Sequence, residues 1–297
     1  MRTLGFSVTV FLAGSTVFAH PGVFHEIESL TVAIVADPSN PDLYLERAIR
    51  ERLGRFYEPA LADLERAKSL GLVDSRIDLE AGLILSAEGC AVEADACLTR
   101  YLEQVPGGSA DAFLERARIR SAAGREDDAV VDYAAAVGQW PDPDGYLEYG
   151  ALLERMGRVD DAAGAYRDGF NRLGHAVVLH SALVRVETER GHWAEALALI
   201  NEVLAAAAVK SDGYLSRARV YESAGRFAAA QADRERALAE AERSASRNPT
   251  GLTIYARARA QLALGNTAAA RRDLEEARRL APRFREVQQL LATLATP

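Results

Sequence analysis

The stretch PDLYLERAIRERLGRFYEPALADLERAKSLGLVD, residues 41–74, reads as two short helices joined by a glycine turn. Tyr44 is bulky, Ala48 is small, Gly54 stands where the first helix has to stop, and Ala60, Leu64 and Ala67 follow at helical spacing. The pattern recurs along the chain. Residues at the place of Ala48 are Gly82, Ala117, Gly150, Val184, Ala218 and Ala258, with successive separations of 34, 35, 33, 34, 34 and 40. Twelve residues after each comes an alanine without exception: Ala60, Ala94, Ala129, Ala162, Ala196, Ala230 and Ala270. Sixteen after it stands a larger core residue in six units, Leu64, Leu98, Tyr133, Tyr166, Ile200 and Leu274, with Arg234 the exception. A period of this kind signals a repeat architecture, in which each unit buries its apolar face only against its neighbours.

The composition agrees. Of 297 residues 49% are hydrophobic and 26% charged, while 22 glycines and 10 prolines are scattered, so the chain folds and is helical almost throughout. The net charge of −8 argues against a nucleic-acid surface, which needs a basic excess to track phosphates.

On these residues the sequence resembles the tetratricopeptide-repeat family over nearly all of its length after residue 40. The bulky fourth position of each unit is Tyr44, Phe113, Tyr146, Tyr214 or Ile254; the small eighth is the anchor; a turn glycine follows at Gly54, Gly89, Gly124, Gly157, Gly191, Gly225 or Gly265. Pro106, Pro141 and Pro282 close three units, since proline has no N–H to continue a helix. Leu72, Gly174, Ala208 and Glu242 stand in the closing place elsewhere, where helices are expected to overrun. The six extra residues before the last anchor, in the breaker-free stretch 237–247, predict about a turn and a half of extra helix. The resemblance implies an all-α, right-handed α-solenoid of about seven helix pairs, starting near residues 41, 75, 110, 143, 177, 211 and 251 and running over 41–282. An N-terminal half-repeat cap helix in 20–40 and a C-terminal capping helix in 283–297 are expected to cover its two edges.

The resemblance also implies a non-catalytic scaffold whose first helices line a groove that binds a partner peptide or protein. The ninth residue of each unit, which faces that groove in the family, is Ile49, Leu83, Arg118, Ala151, Arg185, Arg219 or Arg259. Four arginines at one groove position suit an anionic partner, because a guanidinium fork matches a carboxylate. Tyr255, at a neighbouring groove position, adds a stacking surface. The alternative is that these arginines only pair along their own helices, Arg118 with Glu115 and Arg219 with Glu222, three residues apart in each case. Arg47, Arg116, Arg217 and Arg257, one step before the anchor, are expected to pack their stems between helices. The Lys and Asn of the carboxylate clamp in chaperone-binding members are missing, so that specificity is not implied.

Residues 1–19 have the form of a secretory signal peptide: Arg2, an apolar run from Leu4 to Ala13, and Val17-Phe18-Ala19 before a cleavage site. Cleavage near Ala19 leaves a chain of net charge −9 without membrane insertion, and a periplasmic or secreted location. The new N-terminus would be His20, and its amine, its imidazole and His25 form a second functional reading, a copper or zinc site. His175, His180 and His192 lack ligand spacing and read as surface or packing residues. Cys90 and Cys97 lie about 10 Å apart along one helix, beyond the usual reach of about 7 Å for a disulfide. No nucleotide-cradling loop, zinc-spaced cluster or nucleophile elbow is found, so neither catalysis nor a cofactor is expected.

Overall fold

The computed structural model describes residues 21–174, 176–207 and 209–295, and residues 1–19, expected above to be a signal peptide, lie outside them with His20 and His175. All regular structure among the described residues is α-helical, in sixteen helices. They divide between two compact units, residues 1–140 and 141–297.

In the first unit, α1 (Pro21–Ala36) packs on α2 (Pro41–Leu53), and the hairpins α2 with α3 (Tyr57–Ser69), α4 (Arg76–Ala87) with α5 (Ala91–Gln104), and α6 (Ala110–Ala122) with α7 (Glu126–Gln139) follow. The first helices of successive hairpins lie side by side, α2 on α4 and α4 on α6. The second unit repeats the scheme with α8 (Pro143–Arg155) and α9 (Val159–Arg172), α10 (Val177–Glu189) and α11 (Trp193–Ala206), α12 (Ser211–Ser223) and α13 (Phe227–Arg247), and α14 (Gly251–Ala263) and α15 (Thr267–Leu280). There α8 lies beside α10 and α12 beside α14, and α16 (Arg285–Ala295) covers α15.

Local chemistry starts and stops these helices. Asn40, Ser109 and Asp142 accept a hydrogen bond from a first-turn N–H, Pro41 and Pro143 open α2 and α8 with the φ a helix needs, and Thr250 with Thr253 forms a capping box on α14. The first helices end on a residue of positive φ seven positions after the anchor. Glycine fills that place at 89, 124, 157, 191, 225 and 265, with φ between 70° and 82°. The first hairpin departs from its expected turn: Gly54 is right-handed at φ −79°, and the left-handed residue is Arg55 at φ 62°. Gly54 is required for room instead, since a Cβ there would meet the Phe56 ring at 2.7 Å. Of the four helices that lack a closing proline only α13 runs on, to 21 residues; α3 and α9 are stopped before Gly71 and Gly174, both of positive φ, and α11 ends at Ala206.

The seven recurring alanines are all fully buried, because each sits where the second helix crosses the first and a larger side chain would push the axes apart. Two units go further: a Cβ on Gly150 would overlap the Tyr166 ring, and one on Gly82 would come within 2.7 Å of Leu98. Among the described residues no helix is long and apolar enough to cross a membrane.

Candidate functional site

The arginines one step before the anchor do more than pack their stems. Arg47 forks onto Asp63 (2.6 and 2.8 Å), Arg116 onto Asp132 (2.9 and 2.7 Å), Arg217 onto Asp233 (2.6 and 2.9 Å) and Arg257 onto Asp273 (2.7 and 2.7 Å). Each fork ties the two helices of one hairpin together, sixteen residues apart, and its aspartate is buried. The charged form of Arg47, Arg217 and Arg257 is strengthened chiefly by the hydrogen bonds to aspartate, against the opposing effect of burial. Beside the first fork, Glu51 is buried with Oε2 unpartnered and Arg47 Nε 3.9 Å away, and burial followed by the neighbouring Asp63 pushes its carboxyl up to about 7. These arginines are therefore structural.

The arginines one step after the anchor point outward, because two residues along a helix turn the side chain through about 200°. Arg118, in the first unit, bonds Glu115 at 3.1 Å along its own helix. Arg185 is held by Glu154 from α8 (2.5 and 2.6 Å) and by Glu189 (3.2 Å). The same Glu154 accepts the Tyr166 hydroxyl at 2.6 Å, and Arg185 before all else holds its carboxyl below the usual range. Arg259 pairs with Asp212 of α12 at 2.7 Å, its guanidinium 5.8 Å from the Tyr255 ring centre. Tyr255 is half-buried and packs its ring on Phe284, with centroids 5.0 Å apart.

Arg219 differs. It is exposed, and its described hydrogen bond is a 3.3 Å contact to the Ser216 hydroxyl. The expected partner Glu222 is taken by Arg234, which reaches it at 2.5 Å. Arg219 also stands between two cavities of the second unit. One, of about 510 Å³, lies between α10 and α12 and is lined by Val184, Ile200 and Val220 with the hydroxyls of Ser181, Thr188 and Ser223. The other, of about 380 Å³, lies between α12 and α14 and is walled by Leu215, Tyr255, Leu262 and Leu290, with Arg234 and Arg259 at its rim. The face of α10, α12 and α14 thus offers one guanidinium without a carboxylate of its own, flanked by two apolar-walled recesses.

Of the remaining candidates, His25 is exposed on α1, and among the described residues no three His, Cys, Asp or Glu side chains come together as a metal site. His180 is buried, with Nε2 3.0 Å from the Leu199 carbonyl, and His192 lies 3.0 Å from Glu187. Cys90 is exposed and Cys97 buried, both as free thiols.

No protein-family model matches the sequence, and no curated protein matches it at a significant level. Among solved structures the chain is similar to the C-terminal part of a TPR repeat-containing protein from Cytophaga hutchinsonii, at 14% identity over 90% of this chain and 94% of that one, with TM-score 0.50. It is also similar to a chain in the structure of Naa15/Naa10 bound to HypK-THB, at 16% identity and TM-score 0.51, covering 86% of this chain and 39% of that longer one. A tetratricopeptide repeat protein from Parabacteroides merdae aligns at 18% identity over 92% of this chain and all of its own, with TM-score 0.47. Likeness at these identities concerns the fold: the chain has the tetratricopeptide-repeat fold, an all-α solenoid of helix pairs.

Proposed function

We propose that this protein is a non-catalytic protein–protein interaction scaffold that holds a partner peptide or protein on the face of α10, α12 and α14, after residues 1–19 are removed as a secretory signal peptide. The repeats span 41–282 between the two capping segments, and the place of work is the periplasm or the extracellular space. The observation that carries the reading is Arg219, an exposed guanidinium between two recesses, at a helix position where Arg118, Arg185 and Arg259 already hold carboxylates of the chain. A partner carboxylate on Arg219 gains a charge-assisted bond, and apolar side chains on either side of it have recesses to fill. Arg185, Arg259 and Tyr255 act as walls of that site, and Arg118 extends the same helix position into the first unit.

The test is a pull-down with the mature chain from extract of its own cell envelope, read by mass spectrometry beside Arg219→Glu and Arg118→Glu. The expected result is a partner recovered by the wild type and by Arg118→Glu and lost by a folded Arg219→Glu chain. Equal recovery by all three would reject the site.

A further inference from the structure

The charge of this chain is not spread evenly. Residues 75–142, spanning α4 to α7, contain thirteen Asp and Glu against six Arg, whereas residues 211–297, spanning α12 to α16, contain fifteen Arg against ten Asp and Glu. A protein of net charge −8 therefore has a segment of −7 and a segment of +5. Many of the charges in both are already committed to the forks and to pairs along helices, so what matters is the remainder. In the acidic segment Glu88, Glu93, Glu103, Asp111, Asp127 and Asp128 are exposed and have no cationic partner among the described residues. In the basic one Arg272, Arg279, Arg283 and Arg285 are exposed and have no carboxylate partner among the described residues. Arg272 and Arg279 are seven residues apart on α15 and so share a face, and Arg283 and Arg285 follow in the turn into α16.

We infer that the basic surface of α15 and the start of α16 docks on the acidic surface of α4 to α7 in a second copy of this chain. Charge complementarity carries the assignment: one pairing accounts for both surfaces at once, whereas an anionic lipid would engage the basic one alone and would face the repulsion of a chain that is acidic elsewhere. The contact sets one surface of one copy on a different surface of the next, so two copies that make it reciprocally close a two-fold dimer and copies that make it one way continue into chains or rings. Exposed charges attract through solvent, and salt dissolves the assembly. None of these residues belongs to the α10–α12–α14 face, so the inference stands or falls apart from the proposed function.

Sedimentation of the mature chain tests it at about 10 mM salt, where screening extends over about 30 Å, and at about 1 M, where it falls to about 3 Å. The expected result is a weight-average mass at low salt at least about 1.5 times the monomer, rising with concentration, and a monomer at high salt. The variant Arg272→Glu/Arg279→Glu/Arg283→Glu and the variant Glu93→Arg/Asp127→Arg/Asp128→Arg are each expected to stay monomeric at low salt, with unchanged helical circular dichroism. Mixing the two brings the reversed Glu surface of one onto the reversed Arg surface of the other and is expected to restore association. A wild type that is monomeric at both salts would overturn the inference, with or without binding to phosphatidylglycerol vesicles, as would a mixture of the two variants that stays monomeric.

Discussion

Arg217 and Arg219 stand two residues apart on α12 and do opposite work. Arg217 turns inward, forks onto Asp233 and donates a further bond to Asn201 at 2.6 Å, so that a fully buried aspartate is neutralised and α12 is locked to α13. Arg219 turns outward between two recesses, with a hydroxyl as its near neighbour. One side chain is committed to the fold, and the other is the one proposed above to meet a partner. The difference is set by helix rotation and by whether a carboxylate sits sixteen residues on, since the residue types are the same.

The largest effect should follow from breaking a fork on one side. Asp132→Ala leaves Arg116, which forks onto that carboxylate from a mostly buried position, as an unpaired charge, and takes from Arg120 one of its two carboxylates, the other being Asp95. The expected loss is about 3–5 kcal/mol in denaturant unfolding. Replacing both partners should do much less harm: Arg217→Leu/Asp233→Leu copies the apolar pair Leu183 and Leu199 that the α10–α11 hairpin has at the same two positions. That double variant should fall within about 1.5 kcal/mol of the wild type, while Asp233→Leu alone should lose several times more.

A smaller effect, dependent on pH, separates Glu51 from the forks. Its folded carboxyl titrates near 7, above the ordinary glutamate value of about 4.3, so the unfolded chain ionises first as pH rises. Stability attributable to this group therefore declines between about pH 4.3 and 7 and stays low above, and Glu51→Gln should raise Tm by roughly 2–5 °C at pH 8 and leave it unchanged at pH 4. The smallest change is at Arg55, which occupies at φ 62° the place that glycine fills in the other six hairpins. Arg55→Gly should stabilise by about 0.5–1 kcal/mol in thermal unfolding, and a loss would show that the Arg55 side chain matters more than its backbone.

The period and the seven buried alanines made the fold legible from residue spacing alone. The forks were legible in principle. Wherever arginine precedes the anchor, at 47, 116, 217 and 257, aspartate stands sixteen residues later, and the anchor itself is alanine; at 81, 149 and 183 the residue is Ala, Tyr or Leu, the later position is Cys97, Ala165 or Leu199, and the anchor is Gly or Val. Reading each position down the repeats hides that coupling, which appears only when two positions are read together. The arginines one step after the anchor were less legible. Arg185 is neutralised by Glu154, 31 residues away, and Arg259 by Asp212, 47 residues away, so neither pairing lies within the helix that spacing rules examine. Conversely Glu222, three residues after Arg219, has the right spacing for a pair and is captured by Arg234 from the facing helix.

The most direct test of the division of labour on α12 is to measure unfolding and partner recovery together on Arg219→Glu. Unfolding free energy within about 0.5 kcal/mol of the wild type, with the partner lost from the pull-down, is the predicted result, because a surface charge outside the forks carries little of the fold. A chain that unfolds markedly more easily, or one that remains stable and keeps its partner, would contradict the account.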